Sequence, residues 1–164
     1  MKRIVLLITA ILLTAGVSAQ SGKGIYNKYS DAKDVSAVYI SPAMLRLVGK
    51  LPDMEIGDGE VNLTPIIKAM SGFYLISSEN KSVSSAIRDD VRKLVKSGDY
   101  EMMMEVKEDG QTVHIYTLSK DDTITNLVFL AYEPEECTFI CIEGNMSKSE
   151  LEKAIASAIS EYDR

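Results

Sequence analysis

The chain has one histidine, two cysteines and fewer basic than acidic residues, 18 against 24 in 164 residues. Each shortage removes a class of function. A structural zinc site wants two pairs of cysteine or histidine ligands. His114, Cys137 and Cys141 supply three such residues at most, and the motif C-x-x-C is absent. The formal charge of −6 opposes binding to nucleic-acid phosphates and to anionic lipid surfaces. No G-x-S-x-G, H-E-x-x-H, G-x-G-x-x-G or phosphate-binding loop occurs. No stretch after residue 19 is long and apolar enough to cross a bilayer as a helix.

What is present begins with "MKRIVLLITAILLTAGVSAQ". Lys2 and Arg3 form a charged start, Ile4 to Leu13 an apolar run, and Val17-Ser18-Ala19 a small-residue end. These are the features of a secretory signal peptide. The reading is residues 1–19 as a cleaved signal, cut after Ala19, and 20–164 as a single α+β domain in the periplasm or outside the cell. The signal carries two basic and no acidic residues, so its loss takes the charge from −6 to −8. No cysteine near the cut could carry a lipid, so no stable membrane anchor is expected after cleavage. The remaining length can bury a core without disulfide staples.

Along the mature chain the periodicity alternates between helix and strand. Ile25 and Tyr29, four apart, mark a short helix. "VSAVYIS" is rich in β-branched residues and predicts a strand. "SPAMLRLVGK" and "LTPIIKAMSG" share one grammar, a hydroxyl cap, proline at the helix start and glycine at the exit. They flank the acidic loop "LPDMEIGDGEVN". "FYLIS" predicts a second strand. "KSVSSAIRDDVRKLVKSG" places Val83, Ile87, Val91, Leu94 and Val95 on one helical stripe. From Tyr100 the period becomes two, giving a four-strand meander turned first at Asp109-Gly110. A last capped helix carries Leu151, Ala154, Ile155, Ala158, Ile159 and Tyr162 on one side.

The fold class is therefore α+β, a mainly antiparallel sheet with a four-strand meander and helices packed mostly on one face. The strand from Tyr100 is expected to alternate, with Tyr100, Met102, Met104 and Val106 opposite Glu101, Glu105 and Lys107. The last two strands are apolar on both sides, which predicts cover on both faces.

The two cysteines lie in "ECTFICIEG", four residues apart. If extended, they stand roughly 13 Å apart, and a disulfide needs Cα atoms within about 7 Å. They are read as buried small side chains sharing a face with Phe139, with pairing between molecules as the alternative. Ser30 to Lys33 and Ser78 to Lys81 match S-x-x-K, but the companion motifs of the serine enzymes that use it are missing. Asp53, Glu55, Asp58 and Glu60 form the densest acidic cluster, yet an EF-hand reading from Asp53 puts aspartate where glycine belongs and threonine where glutamate belongs. A solvated acidic loop is the reading there. No catalytic residue, metal site or cofactor is assigned.

With these segments laid out, the chain resembles a known family. "YISPAMLRLVGKLPD", "LTPIIKAMSGFYLISSEN", "ECTFICIEGNMS" and the final capped helix, after a signal ending in "SAQ", are similar to the bacterial domain-of-unknown-function family numbered 4252. The resemblance runs over the whole mature chain. It implies a small exported protein of Bacteroidetes, a cell-envelope setting, and a role in envelope sensing or stress. It implies no reaction. This chain lacks the lipid-bearing cysteine of some members.

The favoured function is an exported, non-enzymatic protein that binds an envelope protein or peptide. Its expected surfaces are the sheet face around His114 and Tyr116 and the acidic loop with Asp53, Glu55, Asp58 and Glu60. The alternatives are an envelope hydrolase using carboxylate or serine chemistry, and a small-ligand carrier.

Overall fold

The computed structural model describes residues 21–48, 55–56, 61–62 and 64–153. In chain order these form α1 (Gly22–Tyr29), β1 (Val35–Ile40), α2 (Pro42–Val48), β2 (Glu55–Ile56), β3 (Val61–Asn62), α3 (Thr64–Ala69) and β4 (Met70–Ser78). Then come α4 (Lys81–Ser97), β5 (Tyr100–Glu108), β6 (Gln111–Lys120), β7 (Thr123–Tyr132) and β8 (Cys137–Ser147). Residues 148–153 are helical. The signal segment 1–19 and the stripe beyond residue 153 lie outside the described residues.

The helices start where side chains can absorb free backbone N–H groups. The Ser21 hydroxyl accepts from Gly24 N at 3.0 Å, and the Ser41 hydroxyl accepts from Met44 N at 3.2 Å. Asn80 Oδ1 accepts from Ser82 N and Val83 N to open α4. Asp109 and Gly110 both adopt positive φ, 46° and 88°, and turn β5 tightly into β6.

All pairings are antiparallel, and six strands make one sheet in the order β1-β4-β8-β7-β6-β5. The meander β5 to β8 is present as expected. Its last strand inserts beside β4, which makes β8 central and leaves β1 and β5 as edges. β2 and β3 form a separate two-stranded pair.

Helices α1 and α4 pack on one face of the sheet. Ile87, Val91 and Leu94 of α4 and Ile25 and Tyr29 of α1 meet Ile76, Phe139, Leu130 and Val128 from the central strands. Each such side chain contributes about 1.5–3 kcal/mol on full burial, so this layer is the main source of stability. Cys137 and Cys141 join it, both free and buried. Two buried hydroxyls are matched: Ser78 Oγ donates to the Asp34 carbonyl at 2.8 Å, and Ser84 Oγ to the Ser78 carbonyl at 2.9 Å. Ser78 is thus occupied in holding β4 to the turn before β1, and its S-x-x-K spacing has a structural explanation.

On the opposite face the cover expected over the last two strands is partial, with Leu127, Phe129, Ile140 and Ile142 half-buried. Cross-strand register sets two rows upon that face. One runs Ile40, Phe73, Ile142, Leu127, Thr117, Glu101, and the next Val38, Leu75, Ile140, Phe129, Ile115, Met104. Thr117 apart, none of these is buried, and Val38 and Met104 are 46% and 44% exposed.

The expected alternation of β5 is also corrected. A bulge between Met102 and Met104 lets Met102 pair with Tyr116 and Met104 with the adjacent Ile115. Met102, Glu105 and Lys107 therefore share the helix-side face, while Met104 and Val106 turn to the other. The methionines do not fill the core, because β5 is an edge strand: Met102, Met103 and Met104 are 53%, 58% and 44% exposed.

Candidate functional site

The bulge decides where the lone histidine goes. By shifting β5 one residue, it brings Glu105 opposite His114 of β6. His114 Nε2 lies 2.7 Å from Glu105 Oε2, and Lys107 Nζ donates to Glu105 Oε1 at 2.8 Å. Lys107 first, then His114, hold the Glu105 carboxyl below the usual carboxylate range. The His114 ring stands 5.6 Å from Tyr116 and 5.9 Å from Tyr132, centroid to centroid. From α4 the guanidinium groups of Arg88 and Arg92 lie 5.0 and 5.6 Å from the Tyr132 ring centre.

This places two of the residues singled out from sequence together, but in a different setting. His114 and Tyr116 are each only 8% exposed, so the face they share is the covered, helix-side face and not an open binding surface. Burial pushes the Tyr116 hydroxyl up from its ordinary range. Glu55 opens β2 opposite Asn62. Asp53, Asp58 and Glu60 lie outside the described residues. Sequence reasoning missed Glu105, Tyr132, Arg88 and Arg92 as neighbours of His114. A glutamate on a strand hairpinned to the histidine's strand was the available signal, hidden by the bulge.

A histidine oriented by a carboxylate can act as a base if a nucleophile sits beside it. The thiols on this face are poor candidates. Burial raises Cys137 to about 11 and Cys141 to about 12, far from the thiolate that attacks. Among the described residues, no three histidine, cysteine, aspartate or glutamate side chains converge to hold a metal. The Glu105–His114 pair ties edge strand β5 to β6, and Tyr132 of β7 joins the cluster to Arg88 and Arg92 of α4.

The outer side of β5 presents a second kind of feature. All nine residues from Tyr100 to Glu108 except Tyr100 are exposed. Natural edge strands are blunted by charge and bulges, and β5 has both, in Glu101, Glu105, Lys107, Glu108 and the bulge. It nonetheless shows three consecutive exposed methionines followed by Val106, 44% exposed. Flexible thioethers recur on surfaces that must adapt to a partner. A third feature is an apolar groove of about 450 Å³ at one end of the sheet, lined by Tyr39, Ile40, Met44, Leu45, Ile67 and Phe73 among others.

An antiparallel six-stranded sheet with helices α1 and α4 on one face defines an α+β fold. Residues 29–154 match the family model described as Domain of unknown function (DUF4252), and the chain belongs to that family. The matched span contains the whole sheet. A comparison with curated proteins finds no match.

Proposed function

We propose that this protein is an exported, non-enzymatic binding protein of the bacterial cell envelope, engaged in envelope sensing or stress, and that it recognises an extended segment of an envelope protein at edge strand β5. The observation that carries this reading is the exposure of Met102, Met103, Met104 and Val106 along a sheet edge that no strand pairs among the described residues. A strand added there would take backbone hydrogen bonds from β5 and gain side-chain contact with the thioethers. Glu101, Glu105 and Glu108 outnumber Lys107, so a segment with basic residues is the complementary one. The His114–Glu105 pair supports the reading by holding the edge in one geometry. The signal-like amino terminus supports the setting.

The test is a photo-crosslinking side chain placed at Met103 in the full chain expressed in its own cells. One saturable envelope partner captured from Met103, and not from exposed Asn27 on α1, is the expected result. Equal capture from both positions, or none from Met103, overturns it.

A second reading, a carrier of a small apolar ligand, is favoured by the groove between α2, α3 and the sheet, whose volume suits such a molecule. It predicts that an apolar dye binds with one-to-one stoichiometry and is displaced by Leu45→Asp.

A further inference from the structure

We infer that edge strand β1 docks a second copy of this chain, the two β1 strands pairing antiparallel about Val38 so that two sheets become one. The inference does not rest on any partner at β5.

Among the described residues the sheet has two edges, and they differ. β5 is blunted by charge and by a bulge. β1 has neither. It pairs β4 with no shift of register, and residues 35–41, "VSAVYIS", carry no charge and no proline. The exposed large apolar side chains follow the edges. Met102, Met103, Met104 and Val106 belong to β5, and Val38, Tyr39, Met44 and Leu47 to β1 and the helix α2 that follows it. Val38 and Tyr39 are each 46% exposed. Tyr39 and Met44 line one groove, so the second group continues from the strand onto the helix. The Tyr39 ring is held in place, stacked on Tyr74 at 5.2 Å and 6.1 Å from Tyr26, centroid to centroid. Interfaces anchor on fixed aromatic side chains of this kind.

Charge selects the occupant. The chain is acidic, −6 overall, so a copy of it is repelled from an average part of the surface. At β5, Glu101, Glu105 and Glu108 against Lys107 would bring two net negative strands together. β1 presents a copy with no charge to meet.

Side-chain size and proline select the register. Directly opposed residues share a face, so the two-fold axis of an antiparallel self-pair passes through a residue. Centred on Val38, the pairing sets Tyr39 opposite Ala37, Ile40 opposite Ser36 and Val35 opposite Ser41, a larger residue against a smaller one each time. Centred on Ala37 it would set Asp34 opposite Ile40. Centred on Tyr39 it would set Pro42, which has no N–H, opposite Ser36. The edge from 35 to 41 is about 23 Å long and about 10 Å deep, on the order of 230 Å² in plan. A standard interface takes about 800 Å² from each partner. The pairing is therefore reversible and rises with concentration, its affinity coming from backbone hydrogen bonds as in other strand additions.

The test joins mass to a thiol placed on the axis. Cys137 and Cys141 are buried, so Val38→Cys gives the folded protein one accessible thiol. Its mate in the second copy would have a Cα about 5 Å away, within the roughly 7 Å that a disulfide spans. Ala37→Cys would stand about 8 Å from its mate, beyond that reach. Mild oxidation of the protein purified from its own cells should link Val38→Cys about ten-fold faster than Ala37→Cys, or than Met103→Cys as a control for collision. Sedimentation equilibrium of the native chain should move from monomer toward dimer as concentration rises toward about 1 mM, and Val38→Asp should hold it monomeric with circular dichroism unchanged. Should Val38→Asp fail to fold, the linking rates still decide. A monomer throughout, or equal linking from all three thiols, overturns the inference. So does a thiol at 38 that fails to react in the monomer, for the chain itself then covers the edge. A dimer broken by Met103→Glu and not by Val38→Asp overturns it too, by placing the contact at β5.

Discussion

Gly22, the first residue of α1, lies against Cys141 of β8 so closely that a β-carbon on it would stand 2.1 Å from Cys141 Sγ and 2.6 Å from Cys141 Cβ. The approach has an energetic reason. Cys141 and Phe139 are fully buried at the sheet centre, and only a residue without a side chain lets the backbone of α1 close over them. Gly22→Ala should therefore overpack this junction and destabilise the domain by about 1–3 kcal/mol, although alanine is the better helix former. Urea unfolding followed by circular dichroism measures it. A neutral or stabilising effect would mean that α1 is not seated where the structure puts it.

The same burial governs the thiols. Both cysteines have pKa values raised by desolvation, Cys137 to about 11 and Cys141 to about 12. In the folded protein at about pH 8, neither should react with a thiol-specific reagent, because both access and thiolate fraction are low. Both should react in denaturant. Mass spectrometry after alkylation should find two free thiols and no intrachain bridge, since extended residues four apart stand roughly 13 Å apart.

That separation is the part of the cysteine problem that sequence could solve, because strand propensity and period two are local properties. So were the Ser41 cap, the Asp109-Gly110 turn and the α4 stripe, each set by residues within one turn of each other. Strand order was not legible: the seat of β8 beside β4 pairs Phe139 with Ile76 and Cys141 with Tyr74, partners more than sixty residues apart. The bulge at Met103 was equally hidden. One inserted residue moved Glu105 and Lys107 to the face of His114 and turned Met104 away. The candidate site suffered most from this. His114 and Tyr116 stand side by side on one face, as period two requires, but their burial depends on register and on α4, which no periodicity reports.

Asp90 supplies a test by pH. Its carboxylate on α4 accepts from the Tyr29 hydroxyl at 2.8 Å and from Lys28 Nζ, both on α1, and from Lys93 at 3.4 Å. Burial opposes its charge, but the hydrogen bonds from Lys28 and Tyr29 outweigh burial and hold its pKa below the ordinary 3.8. A carboxyl depressed on folding stabilises the protein above its unfolded pKa and loses that contribution as pH falls through the folded value. The gap in unfolding free energy between the native chain and Asp90→Asn should thus shrink as pH is lowered from about 6 to about 3. At neutral pH, Asp90→Ala should cost about 1.5–3 kcal/mol, the scale of hydrogen bonds to a charged group. Tyr29→Phe should remove a part of the same contribution, and the two changes should not add.

The methionines separate edge from core chemically. Met102, Met103 and Met104 are about half exposed, whereas Met146 is 1% exposed. Thioether oxidation follows access. Dilute peroxide on the folded chain should convert the three β5 methionines to sulfoxides well before Met146, as read by peptide mass spectrometry, and denaturant should erase the difference. Stability discriminates in the same direction. Met103→Lys should change the unfolding free energy by no more than about 0.5 kcal/mol, as surface substitutions do. Phe139→Ala, at a position with no exposure, should cost about 3–5 kcal/mol. If β5 is the recognition edge, peroxide treatment should also weaken capture from the Met103 position while the melting temperature stays nearly constant. A large loss of stability on Met103→Lys would show that β5 is packed rather than offered, and would remove the surface on which the binding proposal stands.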